Sequence, residues 1–353
     1  MAFDPALAQR FAAKLIDALN DAALGLMISV GHRTGLFDVM RDLAPAGATQ
    51  IAMQAGLAER YVCEWLAAMA NAGVVVHDPA CGTYLLPPEH AVALTRAARP
   101  NNLAARFQWI PLLGSVEDEI VKCFERGGGV PHASYRRFRA VAAEERDQTV
   151  VASLLQRILP RVPGLPARLA RGCDVLDVGC GSGRALACMA EAFPHSRFTG
   201  VDSRARAIEL ARIDARGLAN LRFEARDEED LEQGGGFDLI TAFDAIHIQA
   251  EPEAVLASVA GALRPDGIFL MQLIAGAVRE DAAHPLATFL YTMSCLHLTS
   301  VSLAAGRAGL GPMGGERVAR RMLAAAGFAE VEVLALAHDP IHLYYVARKA
   351  QAL

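Results

Sequence analysis

Residues 175–183 read VLDVGCGSG, an apolar run rich in β-branched residues that ends on glycines at 179, 181 and 183. A short apolar run of this kind reads as a buried strand. Directly after it, SGRALACMAEAF reads as a helix, so the glycines occupy a strand-to-helix turn. Glycine lets a backbone come close to a ligand, and the first N–H groups of a helix point outward at whatever binds there. A nucleotide-like cofactor is therefore implied. The nicotinamide fingerprint spaces its glycines GxGxxG, whereas here the spacing is GxGxG and Arg184 follows. The dehydrogenase pattern fails by one position.

Around this turn, residues 171–353 alternate between strand and helix. RFTGVD (197–202), LRFEARD (221–227), FDLITAFDAIH (237–247) and GIFLMQLI (267–274) are strand-like, with helices at RARAIELARIDARG (204–217) and PEAVLASVAGAL (252–263). Such alternation predicts a parallel α/β sheet with crossover helices. GERVARRMLAAAG (315–327) adds a helix, and EVEVLALA and HLYYVARK give two last strands, the final one antiparallel because so few residues connect them.

LDVGCGSG resembles the first motif of class I S-adenosylmethionine-dependent methyltransferases, and FDLI, LRPDG and the late AAGF follow in the family's order. The resemblance covers 171–353 and implies a Rossmann-like seven-stranded methyltransferase domain that takes S-adenosyl-L-methionine. It implies that Gly179, Gly181 and Gly183 wrap the cofactor and that Asp202 accepts both ribose hydroxyls. Asp227 would take the adenine amine, although Arg226 stands where the family more often has glycine, and Asp177 would approach the methionine amino group. Phe243 and Asp244, closing the family's fourth strand, complete the cofactor set. His247 sits where plant-type small-molecule O-methyltransferases carry a histidine, either as general base or as a group that closes the pocket by hydrogen bonding; Ile248 follows it where many have Asp. GxGPMGGE, FDAIH and HDP…YYVARK also resemble a bacterial winged-helix subgroup of the family.

The first hundred residues predict a different architecture, an all-helical and winged-helix domain. Phe11, Leu15, Leu19, Leu24, Met27 and Val30 recur at helical steps from Pro5, with a break near Gly31. Thr49 is placed as the cap of a short helix, Gly56 turns the chain, and a second helix runs from about Glu59 to Asn71. VVVHDPACGTYLL supplies the wing. Seven basic residues stand against nine acidic ones up to Pro100, and the putting-together of Glu59, Arg60 and Glu64 leaves the second helix with net charge −1. Phosphate contacts from Lys and Arg carry most DNA affinity, so packing and homodimerisation are expected in place of nucleic-acid binding. The predicted division is 1–100 winged-helix dimerisation domain, 101–170 helical connector and 171–353 catalytic domain.

Acceptor-binding candidates come from the connector, Trp109 and Tyr135, and from a long apolar insertion, residues 276–316, that carries Tyr291, Met293, Cys295 and His297. Loops of that length usually carry function. His297 is the second candidate base, or a satisfied core residue. An apolar pocket implies a hydrophobic or aromatic small-molecule acceptor methylated at oxygen; transfer to N, S or C without a histidine base, and a cofactor-sensing DNA-binding regulator, are the alternatives. Thiol-dependent arsenite methylation needs Cys63, Cys123 and Cys295 to converge, and nothing in their spacing argues for it.

With 353 residues, 53% hydrophobic and 21% charged, the chain can bury more than one core. Its net charge of −5 offers no broad field for a polyanion. Seven scattered cysteines without a CxxC pair suggest neither disulfides nor a metal site. No basic N-terminal leader and no long apolar run predict a cytoplasmic chain without a membrane segment.

Overall fold

The computed structural model describes residues 2–231, 236–249, 251–275, 284–306 and 315–350. Contacts divide the chain into two units, Met1–Ser115 with Arg137–Glu145, and Val116–Arg136 with Arg146–Leu353. The segment read as a connector is thus shared between them. Most of the glycine-rich end of the insertion, 307–314, lies outside the described residues.

In the first unit a helix runs Pro5–Thr34, capped by the Asp4 carboxylate, which accepts from Ala6 and Leu7 N–H. It does not break at Gly31. A Cβ at Gly31 would come within 2.5 Å of the Trp65 ring and 2.8 Å of Phe37, so the glycine serves close packing inside a continuous helix. Helices Ala48–Ala55 and Glu59–Asn71 follow, joined at Gly56 in the left-handed conformation, and strands β1 (Val76–Asp78) and β2 (Thr83–Leu85) pair antiparallel as the wing. The cap of the first of these two helices is Gly47; the Thr49 hydroxyl donates instead to Glu59 Oε1 at 2.6 Å. Thr49 is the second residue of this helix, past the capping place, which leaves its hydroxyl to donate to the carboxylate. Phe37, Ile51, Trp65, Leu66 and Met69 form the core, and Trp65 Nε1 donates to the Met27 carbonyl.

The second unit is built on a seven-stranded sheet of order β5-β4-β3-β6-β7-β9-β8. The strands are β3 (Asp174–Val178), β4 (Arg197–Asp202), β5 (Leu221–Ala225), β6 (Phe237–Phe243), β7 (Leu263–Ile274), β8 (Phe328–Leu336) and β9 (Asp339–Lys349). β3 to β7 run parallel, and β9 is antiparallel to both its neighbours. The chain winds from β3 to β5 on one side, then returns to lay β6 beside β3. That reversal leaves a crevice beyond the carboxyl ends of β3 and β6, where ligands of open α/β sheets bind.

From Val116–Arg136 the helix Glu117–Arg126 leads into Gly127–Gly129, which crosses the helical insertion. Val130 N–H donates to Ser300 Oγ at 2.8 Å, and a Cβ on Gly129 would overlap the Ser300 carbonyl and lie 2.6 Å from the Ala304 nitrogen. Backbone cannot yield there as a side chain can. Gly129→Ala is expected to lower the melting midpoint by about 4–8 °C, as overpacking of about 2 kcal/mol does in a domain of this size. Gly114→Ala, where nothing lies within 4 Å, is the control and should leave the melting curve unchanged.

Candidate active site

Each glycine of the turn after β3 has positive φ, 68° at Gly179, 58° at Gly181 and 69° at Gly183, which other L-residues rarely adopt. Space forbids side chains as well. A Cβ at Gly179 would meet Ala245 Cβ at 2.5 Å, and one at Gly183 would overlap the Phe223 ring. The loop therefore presses against the turn after β6 on one side and against β5 on the other. It forms a backbone-lined cradle.

Four acidic residues lie at or just beyond the carboxyl ends of β3, β4, β5 and β6, and each is held differently. Asp177, in register with Thr241 across β3 and β6, accepts the Thr241 hydroxyl at 2.6 Å. Burial pushes its carboxyl up to about 7, against the Thr241 hydrogen bond and the pull of Arg146. Asp202 ends β4 and is 1% exposed. Its Oδ2 accepts Gly181 N–H and Arg204 Nη2, and its Oδ1 accepts Arg204 N–H and Nε, all within 3.0 Å. Burial alone would raise it, but the Arg204 fork holds it below the usual carboxylate range. Asp227 lies exposed, and its carbonyl accepts Asp230 N–H. Beside it, Glu228 is buried and accepts from the N–H and hydroxyl of Ser203.

Asp244 is the fourth. Among described non-glycine residues it alone has positive φ, 54°. Its Oδ2 lies 3.0 Å from His342 Nε2, while Oδ1 is buried with no hydrogen-bond partner. His247 follows on a short 3-10 turn, Ile246–Ile248, and its Nδ1 is likewise buried without a partner. Burial pushes the His247 imidazole below its ordinary value against the opposing Asp244 charge, so the imidazole is neutral at physiological pH. Phe243, which closes β6, is buried in the core.

Sequence patterns gave no sign of Arg146, in the helix Phe138–Thr149. Its Nη1 would be 3.1 Å from a Cβ on Gly181, its Nε is buried without a hydrogen bond, and its charge acts on Asp177, Asp244 and His247. No local motif distinguishes one arginine on a polar helix from its neighbours. His342 and Asp339 were also missed as site residues, although HDP…YYVARK surrounds them.

The insertion contains a π-helix, Ser294–Thr299, a rare form often found at functional sites. It carries His297, whose ring packs edge-on against Tyr135, centroids 4.8 Å apart, and against His132 at 5.9 Å. The Tyr135 hydroxyl donates to the Leu296 carbonyl. Burial pushes His297 down to about 3 and Tyr135 up to about 12. Met293 is buried, and Tyr291 is half exposed. Trp109 lies in the other unit, edge-on to Phe138 with centroids 5.6 Å apart.

Residues 22–96 match the family model of the Rv2258c-like winged helix-turn-helix domain, and residues 169–327 that of a methyltransferase domain. A trans-aconitate 2-methyltransferase of Deinococcus radiodurans is 34% identical over 155 residues, 44% of this chain and 52% of that protein. A ubiquinone biosynthesis O-methyltransferase of Neisseria meningitidis is 32% identical over 111 residues, 30% of this chain and 45% of that protein. The chain thus spans about half the length of these relatives. Human N-acetylserotonin methyltransferase, solved in complex with SAM, shares the fold with a TM-score of 0.70 at 16% identity, over 99% of both chains.

The raised Asp177 carboxyl has a consequence for stability. Between the ordinary carboxylate value and about pH 7 the folded state keeps a proton that the unfolded chain has lost, so stability falls as pH rises through that window. Asp177→Asn removes this titration. Its stability relative to wild type, measured by denaturant unfolding, should rise by on the order of 3 kcal/mol between about pH 4 and pH 7; a difference independent of pH would contradict the assignment.

Proposed function

We propose that this chain, a class I methyltransferase fold with an N-terminal winged helix, transfers a methyl group from S-adenosyl-L-methionine to an oxygen of a small hydrophobic or aromatic acceptor. The carrying observation is the convergence of a side-chain-free glycine cradle with two unpartnered buried atoms, Asp244 Oδ1 and His247 Nδ1, at the reversal between β3 and β6. When bound, the cofactor supplies an electrophilic methyl on a cationic sulfur. The residues present fit it. Gly179, Gly181 and Gly183 offer backbone, Asp177 takes the amino group, Arg146 answers the carboxylate, and Asp227 takes the adenine amine. Asp202 receives the ribose hydroxyls in exchange for Arg204, whose side chain is half exposed and can leave. Phe243 supports the end of β6 from beneath.

Transfer between aligned partners demands positioning more than covalent chemistry. His247, neutral and beside a carboxylate, takes the proton of the acceptor hydroxyl as it becomes nucleophilic. His297, driven to about 3, has little basicity left and shapes the acceptor pocket with Tyr135 and Met293. The exposure of Tyr291 supports a place at the pocket mouth, and the burial of Trp109 supports packing in its own unit.

A regulator that binds DNA is the second reading, raised by the winged helix. The helix Glu59–Asn71 argues against it, since Arg60 is paired with Glu64 and Glu59 faces Thr49. A homodimer is supported by the helix Pro5–Thr34, which exposes Leu7, Phe11, Leu15, Ile16 and Leu19 in succession. Among the described residues no helix is long and apolar enough to cross a membrane.

Calorimetry with S-adenosylhomocysteine is expected to show one site per chain; no binding would end the methyltransferase reading. His247→Ala should lose about two to four decades of kcat while keeping that affinity, and an unchanged kcat would leave the histidine a positioning role only. Light scattering on a Phe11→Glu, Leu15→Glu variant should report monomer where wild type reports dimer.

A further inference from the structure

Asp244, just beyond the end of β6, stands at the end of a hydrogen-bonded chain made with His342, Asp339 and Tyr344 of β9 and Gln272 of β7. His342 Nδ1 lies 2.7 Å from Asp339 Oδ1, and Nε2 lies 3.0 Å from Asp244 Oδ2. Carboxylates on both ring nitrogens require a proton on each, so the ring is an imidazolium. Asp339 Oδ2 accepts the Tyr344 hydroxyl at 2.7 Å and Gln272 Nε2 at 2.9 Å, which ties the far end to β7 and β9. Asp339 is inaccessible and His342 is 3% exposed.

Two carboxylates and one imidazolium leave a net negative charge, and its free lone pairs are those of Asp244 Oδ1. A buried charge with an unfilled hydrogen-bonding atom is costly and calls for a ligand. The left-handed backbone at Asp244 adds strain that persists only where surrounding groups enforce it. Resting on the methyltransferase reading above and on the cofactor role expected of Asp244, we propose that His342 is the positioning residue of Asp244. The Asp339–His342 pair locks the Asp244 carboxylate so that its free oxygen receives a cationic group of S-adenosylmethionine.

The surrounding charges agree. Burial works against the imidazolium, but Asp244 and Asp339 together raise His342 well above its ordinary value. Asp244 is held below the usual carboxylate range despite its burial, by His342 first, with His247 and Arg146 adding to the effect. Tyr344, raised well above its ordinary value by burial and by Asp339, stays a neutral donor. S-adenosylmethionine has two cationic groups, the sulfonium and the ammonium; its product keeps only the ammonium. That difference separates the two.

The test is calorimetry of full-length wild type, Asp244→Asn, His342→Gln, the double variant and His342→Lys, each with S-adenosylmethionine and with S-adenosylhomocysteine. Asp244→Asn and His342→Gln should each weaken S-adenosylmethionine by about ten- to a hundredfold, the scale of one close contact between opposite charges away from solvent, or of one hydrogen bond to a charged group where the ammonium is the partner. The double variant should be no weaker than the poorer single variant, and His342→Lys, which restores the charge, should recover part of the loss. Loss for S-adenosylmethionine alone identifies the sulfonium, and equal loss for both ligands identifies the ammonium, which Asp244 then shares with Asp177. Unchanged affinity in Asp244→Asn overturns the proposal, as do additive losses in the double variant. Should His342→Gln fail to fold, Asp244→Asn, which keeps the Asp339–His342 pair, decides alone. Wild type that binds neither ligand defeats the methyltransferase reading instead.

Discussion

Ala245 Cβ lies where any side chain on Gly179 would have to go. That near contact joins the turn after β3 to the turn after β6 and depends on the two strands being parallel neighbours in register, Asp177 opposite Thr241. Everything in the crevice follows from it: the backbone cradle, the acidic pair Asp177 and Asp202 at the strand ends, and the short turn that carries Asp244 and His247. A residue with a Cβ at 179 would push these apart.

Within this frame the electrostatics is a problem of burying carboxylates away from bulk solvent. Three solutions stand side by side. Asp177 drifts toward neutrality, because one hydroxyl does not offset its burial. Asp202 takes the fork of Arg204 and stays ionised. Asp244 is kept anionic by an imidazolium that is itself anchored by Asp339. A carboxylate satisfied by its own neighbour must exchange that partner to bind a ligand, whereas one with a free oxygen can bind without exchange.

Much of the fold was legible because period and punctuation act locally. The second helix of the winged domain, Glu59–Asn71, ends where residue pattern and glycine place it. The antiparallel last strand follows from a connection too short for a crossover. Gly31 and Thr49 misled for an equally physical cause. A glycine stays inside a helix where a neighbour needs the space of its missing side chain, as Trp65 does at Gly31; the helix starts two residues before Thr49, at the cap Gly47, and the threonine hydroxyl donates to Glu59 instead. Of the site, the glycines and the strand-end acids were visible as motif. Arg146, Arg204 and His342 were not, since their roles depend on which distant group each side chain meets.

Sequence by itself determined the chemistry available to this chain: a glycine turn between strand and helix, acids at strand ends, a histidine after the central strand, and a slightly acidic balance on the winged helix. These are properties of short segments, set by backbone freedom and residue spacing. Only the tertiary structure decided which charges are paired. Pairing depends on distances of a few ångströms between residues about a hundred positions apart, as between Asp244 and His342, and burial then turns each such distance into a protonation state.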